Sequence, residues 1–290
     1  MRWPPIQSIL RQRSGVSVAI QRRPGSLSGM SAPTRASVRA TITPALNRVP
    51  RVTAMFWIVK VLTTGMGETT SDFFVKRFPP ELVVPIAFVV LVGMLVLQFR
   101  LRRYVAAVYW ATALAVSVFG TMAADVLHVG LGVPYVASTI GFASVLAVIF
   151  VLWYRSEHTL SVHAITTRRR ETFYWATVLT TFALGTAAGD WTAVSLGLGY
   201  LASGIVFAGI IALPALAHRF LGLNAVLAFW FAYVVTRPLG ASFADWLGVP
   251  PSRGGLDLGT GPVSLAAFVL FVILVAVLAV RRRDVEAAAA

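Results

Sequence analysis

The amino-acid sequence predicts an all-α fold: a polytopic membrane protein of eight transmembrane helices, built as four parallel two-helix repeats. Three observations lead there. Of 290 residues, 57% are hydrophobic and 12% charged, against about a quarter charged in a soluble domain, so polar surface is too scarce to cover a globule in water. From residue 53 onward, apolar runs long enough to cross about 30 Å of hydrocarbon recur with short gaps. One polar motif also returns four times, at matching places in alternate runs. The chain has no cysteine, which excludes disulfides, thiolate metal sites and cysteine nucleophiles.

Residues 1–52 read as a disordered basic tail, rich in Ser and Pro and carrying nine of the 25 basic residues. They lack the apolar run followed by a small-residue cleavage site of a secretory signal. An Arg-rich, acid-free leader also fits an organellar transit peptide, or a start codon set too early, with Met30 and Met55 as alternative starts. Eight helices follow, at 53–75, 82–99, 104–126, 132–153, 172–192, 199–217, 222–246 and 262–280. Paired in order they give repeats at 53–99, 104–153, 172–217 and 222–280. Residues 281–290 form a basic C-terminal tail.

The net charge of +14, taken alone, suggests a nucleic-acid partner. Its distribution says otherwise. Connections after the second, fourth and sixth helices carry Arg100, Arg102 and Arg103, then Arg155, Arg168, Arg169 and Arg170, then Arg219, and the C-terminal tail adds Arg281, Arg282 and Arg283. With the leader this puts 20 basic residues on one side, whereas the opposite connections hold only Lys76, Arg77 and Arg253. By the positive-inside rule both termini are cytoplasmic, in agreement with an even number of spans. The charge is thus an orientation signal and an attraction to anionic lipid. The expected partner is the bilayer and not nucleic acid, and the oligomeric state is open.

Trp57, Trp110, Trp175 and Trp230 are each followed ten residues later by Gly67, Gly120, Gly185 and Gly240, and fifteen residues later by Asp72, Asp125, Asp190 and Asp245. Four of the chain's six aspartates occupy this one position of the motif W-x9-G-x4-D. Trp-to-Trp spacings of 53, 65 and 55 residues define a unit of two helices. Each unit crosses twice, so all copies share one orientation and are parallel repeats about an axis along the membrane normal. At about 1.5 Å per residue each Asp lies roughly 22 Å from its Trp. A Trp in the cytoplasmic interfacial belt therefore places its Asp toward the outer face, and the glycines suit close helix packing.

These residues carry a family resemblance. Four tandem two-helix units, with K-x3-TGMGETTSD in the first, YW-x9-GTAAGDW in the third and TRPLGASFADWLG with a following GGLDLG in the fourth, resemble a bacterial integral membrane family defined by a repeat of unknown function. The resemblance spans about residues 50 to 280. It implies a multispanning protein of the bacterial inner membrane and brings no reaction with it.

Four-residue steps from each Trp expose one helix face. The face reads Lys60, Thr64, Glu68, Asp72 in the first copy and Ala113, Ser117, Thr121, Asp125 in the second. It continues as Val178, Phe182, Thr186, Asp190 and then Tyr233, Arg237, Ala241, Asp245. Ionisable groups at membrane depth cost several kcal/mol unless paired or hydrated, so such stripes face a bundle interior or a watery cavity. Candidate substrate or ion ligands are therefore Lys60, Thr64, Glu68, Asp72, Asp125, Asp190, Arg237 and Asp245, with Glu68 and Asp72 as metal candidates. Oxygen ligands suit hard ions such as Mn²⁺, Mg²⁺ or Ca²⁺, or protons. Lys60 and Arg237 neutralise Glu68 and Asp72 or Asp245, or bind an anion. Pro238 is expected to bend the seventh helix beside Arg237. His128, His158, His163 and His218 show no mutual metal-ligand spacing and are expected in loops.

No G-x-x-x-x-G-K-[ST], H-E-x-x-H or G-x-S-x-G motif occurs, so ATP-driven transport and standard hydrolase chemistry lack their parts. The expectation is a non-enzymatic secondary transporter or permease for a small solute, most simply a cation, with no cofactor. A membrane scaffold or sensor with a structural polar core is the alternative. An intramembrane aspartyl enzyme needs two adjacent carboxylates, which the stripe is able to supply.

Overall fold

A computed structural model describes residues 47–281. Most of the expected basic N-terminal tail, and all but the first residue of the C-terminal one, lie outside the described residues. Within them the chain is all-α: α1 (Ala54–Arg77), α2 (Pro80–Arg100), α3 (Ala106–Asp125), α4 (Tyr135–Glu157), α5 (Arg168–Asp190), α6 (Tyr200–Leu221), α7 (Ala225–Gly248) and α8 (Thr260–Arg281). Six of these, all but α1 and α5, are long and apolar enough to cross a membrane. In α1 the apolar run is interrupted by Lys60, Glu68 and Asp72, and in α5 it is diluted by threonines and glycines.

Local chemistry sets the boundaries. Thr53, Thr167 and Asn224 accept the first free backbone N–H groups of α1, α5 and α7. Proline stands at the entry to α2 and α4, where a missing N–H costs nothing. Gly222 ends α6 with a left-handed φ of 70°. Immediately after Asp125 and Asp190, α3 and α5 widen into single π-helical turns, Val126–Gly130 and Trp191–Ser195. α7 runs unbroken through Pro238.

The odd helices form an inner ring in which α1 and α5 each pack against both α3 and α7. The even helices lie outside it: α2 rests on α3, α4 on α5, α6 on α7 and α8 on α1. The second helix of each repeat thus covers the first helix of the next, and the last repeat closes on the first. Outward-facing Leu82, Val89, Ile140, Ile205, Leu265 and Ile273 leave the outer helices with exposed apolar surface.

The repeat glycines explain how closely the ring is drawn. Gly67 faces Ser117, Gly120 faces Phe182, Gly185 faces Arg237, and Gly240 faces Thr64. Each glycine, ten residues after its Trp, therefore receives the side chain seven residues after the Trp of the following copy. An added Cβ would lie 2.8 Å from Phe182 Cβ at Gly120 and 2.9 Å from the Val61 carbonyl oxygen at Gly240.

At the Trp end the ring is filled by aromatic side chains. Trp110, Trp175 and Trp230 are buried with Phe56, Tyr109, Tyr174 and Tyr233, and only Trp57 is half-exposed. This corrects the expectation of four interfacial anchors: three of the indoles serve as core, edge-on to neighbouring rings. Beneath them, residues 47–52 and the α4–α5 connection fold across the bundle. Arg48 donates to Glu171 at 2.5 Å, Gln98 donates to the other Glu171 oxygen at 2.9 Å, and the Arg48 amide donates to the Ile165 carbonyl. Val49, Val162 and Ile165 are buried. The last residues of the expected disordered tail are thus part of the fold, because Arg48 neutralises a carboxylate that α5 carries inside.

The ring closure is testable. Gly240→Ala is expected to cost about 1–3 kcal/mol by overpacking, seen as a lower midpoint of unfolding in detergent. At Gly141 an added Cβ meets nothing within 4 Å, so Gly141→Ala should leave the midpoint unchanged or slightly raised. Equal midpoints for wild type and Gly240→Ala would refute the close α1–α7 approach.

Candidate functional site

Above the aromatic layer the polar stripes of the four inner helices meet. Lys60 comes first, 1% exposed. Its ammonium makes no hydrogen bond and sits 3.9 Å from the centroid of the Phe182 ring and 4.2 Å from that of Tyr233. The expected pairing of Lys60 with a carboxylate does not form; cation–π contact replaces it. Thr64 is turned to the backbone: its hydroxyl donates to Val61 O at 2.6 Å and contacts Thr236 O at 3.1 Å.

Arg237 occupies the next level and is fully buried. Nη1 donates to Thr64 O at 3.0 Å. Nη2 donates to Glu68 Oε2 at 2.5 Å, to Thr186 Oγ1 at 2.8 Å and to Thr121 Oγ1. Glu68, Thr121 and Thr186 hold the same position, eleven residues after their Trp, in copies one, two and three. A guanidinium from copy four therefore collects one side chain from every other copy. Its fork geometry and permanent charge suit it to this better than an ammonium.

Beyond Arg237 lies a cavity of about 440 Å³. Glu68, Asp72, Asp125, Asp190 and Asp245 all line it, as do Tyr135 and Tyr200. Exposed Val129, Lys76, Glu81 and Arg253 border it and mark the end away from the tryptophans as its mouth. Two of the five motif-face carboxylates are committed to cations, Glu68 to Arg237 and Asp72 to Lys76 at 2.5 Å. The side chains of Asp125, Asp190 and Asp245 have no hydrogen-bond or ion-pair partner among the described residues. At the mouth, Arg253 donates to the Tyr200 hydroxyl at 2.6 Å. Partial burial works against the Arg253 charge, but Tyr200, Asp245 and Asp72 outweigh that and hold its pKa above the usual arginine value, so it stays cationic.

The eight candidate residues thus divide. Five carboxylates share the cavity wall, Arg237 lies beneath them as a floor bonded to Glu68 without itself lining the space, and Lys60 and Thr64 lie below it. Glu68 and Asp72, the metal candidates, each have an oxygen tied to a cation. Instead, Asp125, His128 and Asp190 offer one ligand atom each, all within 4.8 Å of one another. His128, expected in a loop, stands on the π turn after α3 and is buried. His163 lies in a short 3₁₀ turn and His218 inside α6. The Asp-x2-His spacing of Asp125 and His128 was the available signal, since three residues along a helix share a face.

The family model described as a Repeat of Unknown Function (DUF347) matches this chain four times, over residues 55–104, 108–159, 173–222 and 228–284. The chain belongs to that family. Each family match spans one odd helix and the even helix that follows it, so the ring holds four family units. Neither a curated protein nor a solved structure matches the chain.

Arg237→Met would leave Glu68 buried without its cation, and a loss of about 3–5 kcal/mol of stability is expected. Adding Glu68→Gln to Arg237→Met should recover at least half of that loss, because no buried charge is then stranded. A double-mutant cycle by unfolding in mixed micelles measures this, and strictly additive losses would rule out the pairing.

Proposed function

We propose that this chain crosses the bacterial inner membrane eight times, with both termini in the cytoplasm, and serves as a non-enzymatic secondary carrier for a small cation. The observation that carries this reading is the convergence of five repeat-face carboxylates on one cavity whose exposed lining residues lie at the end away from the repeat tryptophans. Fixed negative charge in a low-dielectric funnel raises the local concentration of cations. Below it, Arg237, Lys60 and the aromatic layer close the path. Exchange of Glu68 from Arg237 to an arriving cation is the natural step that would loosen the floor, because the guanidinium then loses its only carboxylate.

The eight-span reading has separate support. α1 and α5 are too polar to cross as isolated helices, yet Lys60, Glu68, Thr177, Thr181 and Thr186 are buried inside the ring. Arg100, Arg102, Arg103, Arg155, Arg168, Arg169 and Arg219 gather at the Trp end, as the positive-inside rule requires of a cytoplasmic face. The Glu68–Arg237 pairing favours a second reading, a scaffold or sensor whose polar core is structural.

The natural absence of cysteine makes topology direct to measure. A single Ser252→Cys should react with a membrane-impermeant maleimide in intact cells, and a single Arg102→Cys only after permeabilisation; the opposite pattern refutes the orientation. For transport, Mn²⁺ entry into proteoliposomes can be followed by quenching of a trapped dye. Glu68→Gln and Asp190→Asn are each expected to slow the initial rate at least ~10-fold, in line with loss of a buried charge interaction of about 1.4 kcal/mol or more. Folded variants with wild-type rates would favour the structural core instead.

A further inference from the structure

Beside the cavity, on the π turn whose Val126, Val129 and Gly130 line it, stands His128. It is 8% exposed and its Nε2 lies 2.6 Å from Ser138 Oγ. The Ser138 hydroxyl is itself directed at the backbone, with its oxygen 3.0 Å from Tyr135 O and 3.4 Å from Pro134 O. With the serine hydrogen donated to these carbonyls, which only accept, Oγ accepts from Nε2–H. In that tautomer Nδ1 carries the lone pair. Nδ1 is buried with no hydrogen-bond partner, an arrangement that is costly unless something occupies it.

Two carboxylates that also lack partners stand beside it. One oxygen each of Asp125 and Asp190 and a ring nitrogen of His128 lie within 4.8 Å of one another. Asp125 and His128 are three residues apart where α3 opens into its π turn, and Asp190 is the same repeat position one copy later. A histidine whose second nitrogen is fixed by a hydrogen bond is the usual form of a metal-ligating imidazole.

We propose that Asp125, His128 and Asp190 bind a divalent transition-metal ion such as Mn²⁺ or Zn²⁺. Two carboxylates match its charge, and the imidazole nitrogen selects against Mg²⁺ and Ca²⁺, which take oxygen ligands. Asp125 and Asp190 line the cavity, so the site is open to an entering ion and its remaining coordination positions to water. Ser138 is a positioning residue, acting only through His128. The site stands on this geometry alone; its identification with transported cargo rests on the carrier reading above.

The test is metal binding by the purified full-length protein in detergent, without transport. Mn²⁺ titration followed by its electron paramagnetic resonance signal should show one saturable site, displaced by Zn²⁺ and not by equimolar Mg²⁺ or Ca²⁺. Asp125→Asn and His128→Gln should weaken it at least ~100-fold, and Ser138→Ala about 10-fold. Glu81→Gln, at the cavity mouth, should leave it unchanged. Cobalt(II) bound to wild type should give a visible spectrum of nitrogen and oxygen ligation that is altered in His128→Gln. This spectrum and the Mg²⁺ competition need only wild-type protein, so they remain decisive where a variant does not fold. Absence of a saturable site, equal affinity in His128→Gln, or displacement by Mg²⁺ as effective as by Zn²⁺ each overturns the proposal. The expected binding together with Mn²⁺ entry into proteoliposomes no faster than into protein-free vesicles upholds this site while removing the carrier reading.

Discussion

The arrangement depends on one guanidinium. Arg237 stands at the meeting point of four helices and receives Thr64 and Glu68 from α1, Thr121 from α3 and Thr186 from α5. Isolated, such a charge could not be kept away from water. Paired with Glu68 it is neutral overall, and two threonine hydroxyls and a backbone carbonyl accept from its Nη1 and Nη2 groups while Nε is left without a partner; added hydrogen bonds of this kind help a buried ion pair to be tolerated. Replacement of the whole Glu68–Arg237 pair by apolar side chains of similar size is often neutral or stabilising for a buried ion pair, so packing alone does not account for its presence. Its consequence is a boundary: below it the axis is filled by rings, above it by a cavity.

A symmetric frame carries this asymmetric content. Four glycines admit the side chain seven residues after the next tryptophan, and the four side chains admitted are Ser117, Phe182, Arg237 and Thr64. The frame requires only that each fits against a backbone without Cβ. It is indifferent to their chemistry, so one position is free to hold a hydroxyl, a ring or a cation. Phe182 and Arg237 use that freedom together: the Phe182 ring lies against both buried cations, 3.9 Å from the Lys60 ammonium and 5.4 Å from the Arg237 guanidinium carbon. Neither requires a second carboxylate.

Much of this was legible in the sequence, and the remainder fails for identifiable reasons. Helix positions followed from apolar length, and the motif face followed from spacing, because both depend on chain-local geometry. That face does hold Glu68, Asp72, Asp125, Asp190 and Asp245 along one cavity. The tryptophans were misplaced because an indole at a helix end ordinarily seeks the headgroup region. Phe56, Tyr109, Tyr174 and Phe229, each directly before a repeat Trp, were the signal that the end is an aromatic core. Lys60 shares the carboxylate face but its flexible stem carries the ammonium to the rings, which spacing cannot foresee. Glu171 and Arg48 were hidden among loop and leader charges, although their ion pair closes the Trp end. Ring closure of α8 on α1 is a long-range contact that no local pattern encodes.

On the carrier reading, the order of charged side chains along the axis constrains what the cavity passes. A cation entering from the mouth meets carboxylates first, then Arg237, then Lys60. At short range in a poorly polarisable interior, like charges repel by several kcal/mol or more, so on that reading the buried Arg237 guanidinium is a barrier as well as a floor. The barrier is conditional, because Arg237 is held there by Glu68 and the Thr64 carbonyl on α1 and by hydroxyls on α3 and α5. Relative movement of α1 against α7 would break its contacts with Thr64 and Glu68 together, and the glycine contact between Gly240 and Thr64 lies on that same interface. The α1–α7 interface is therefore where occupancy of the cavity and packing of the ring are mechanically joined. It is also where the first repeat meets the last, the one junction of the inner ring whose partners are farthest apart in the chain.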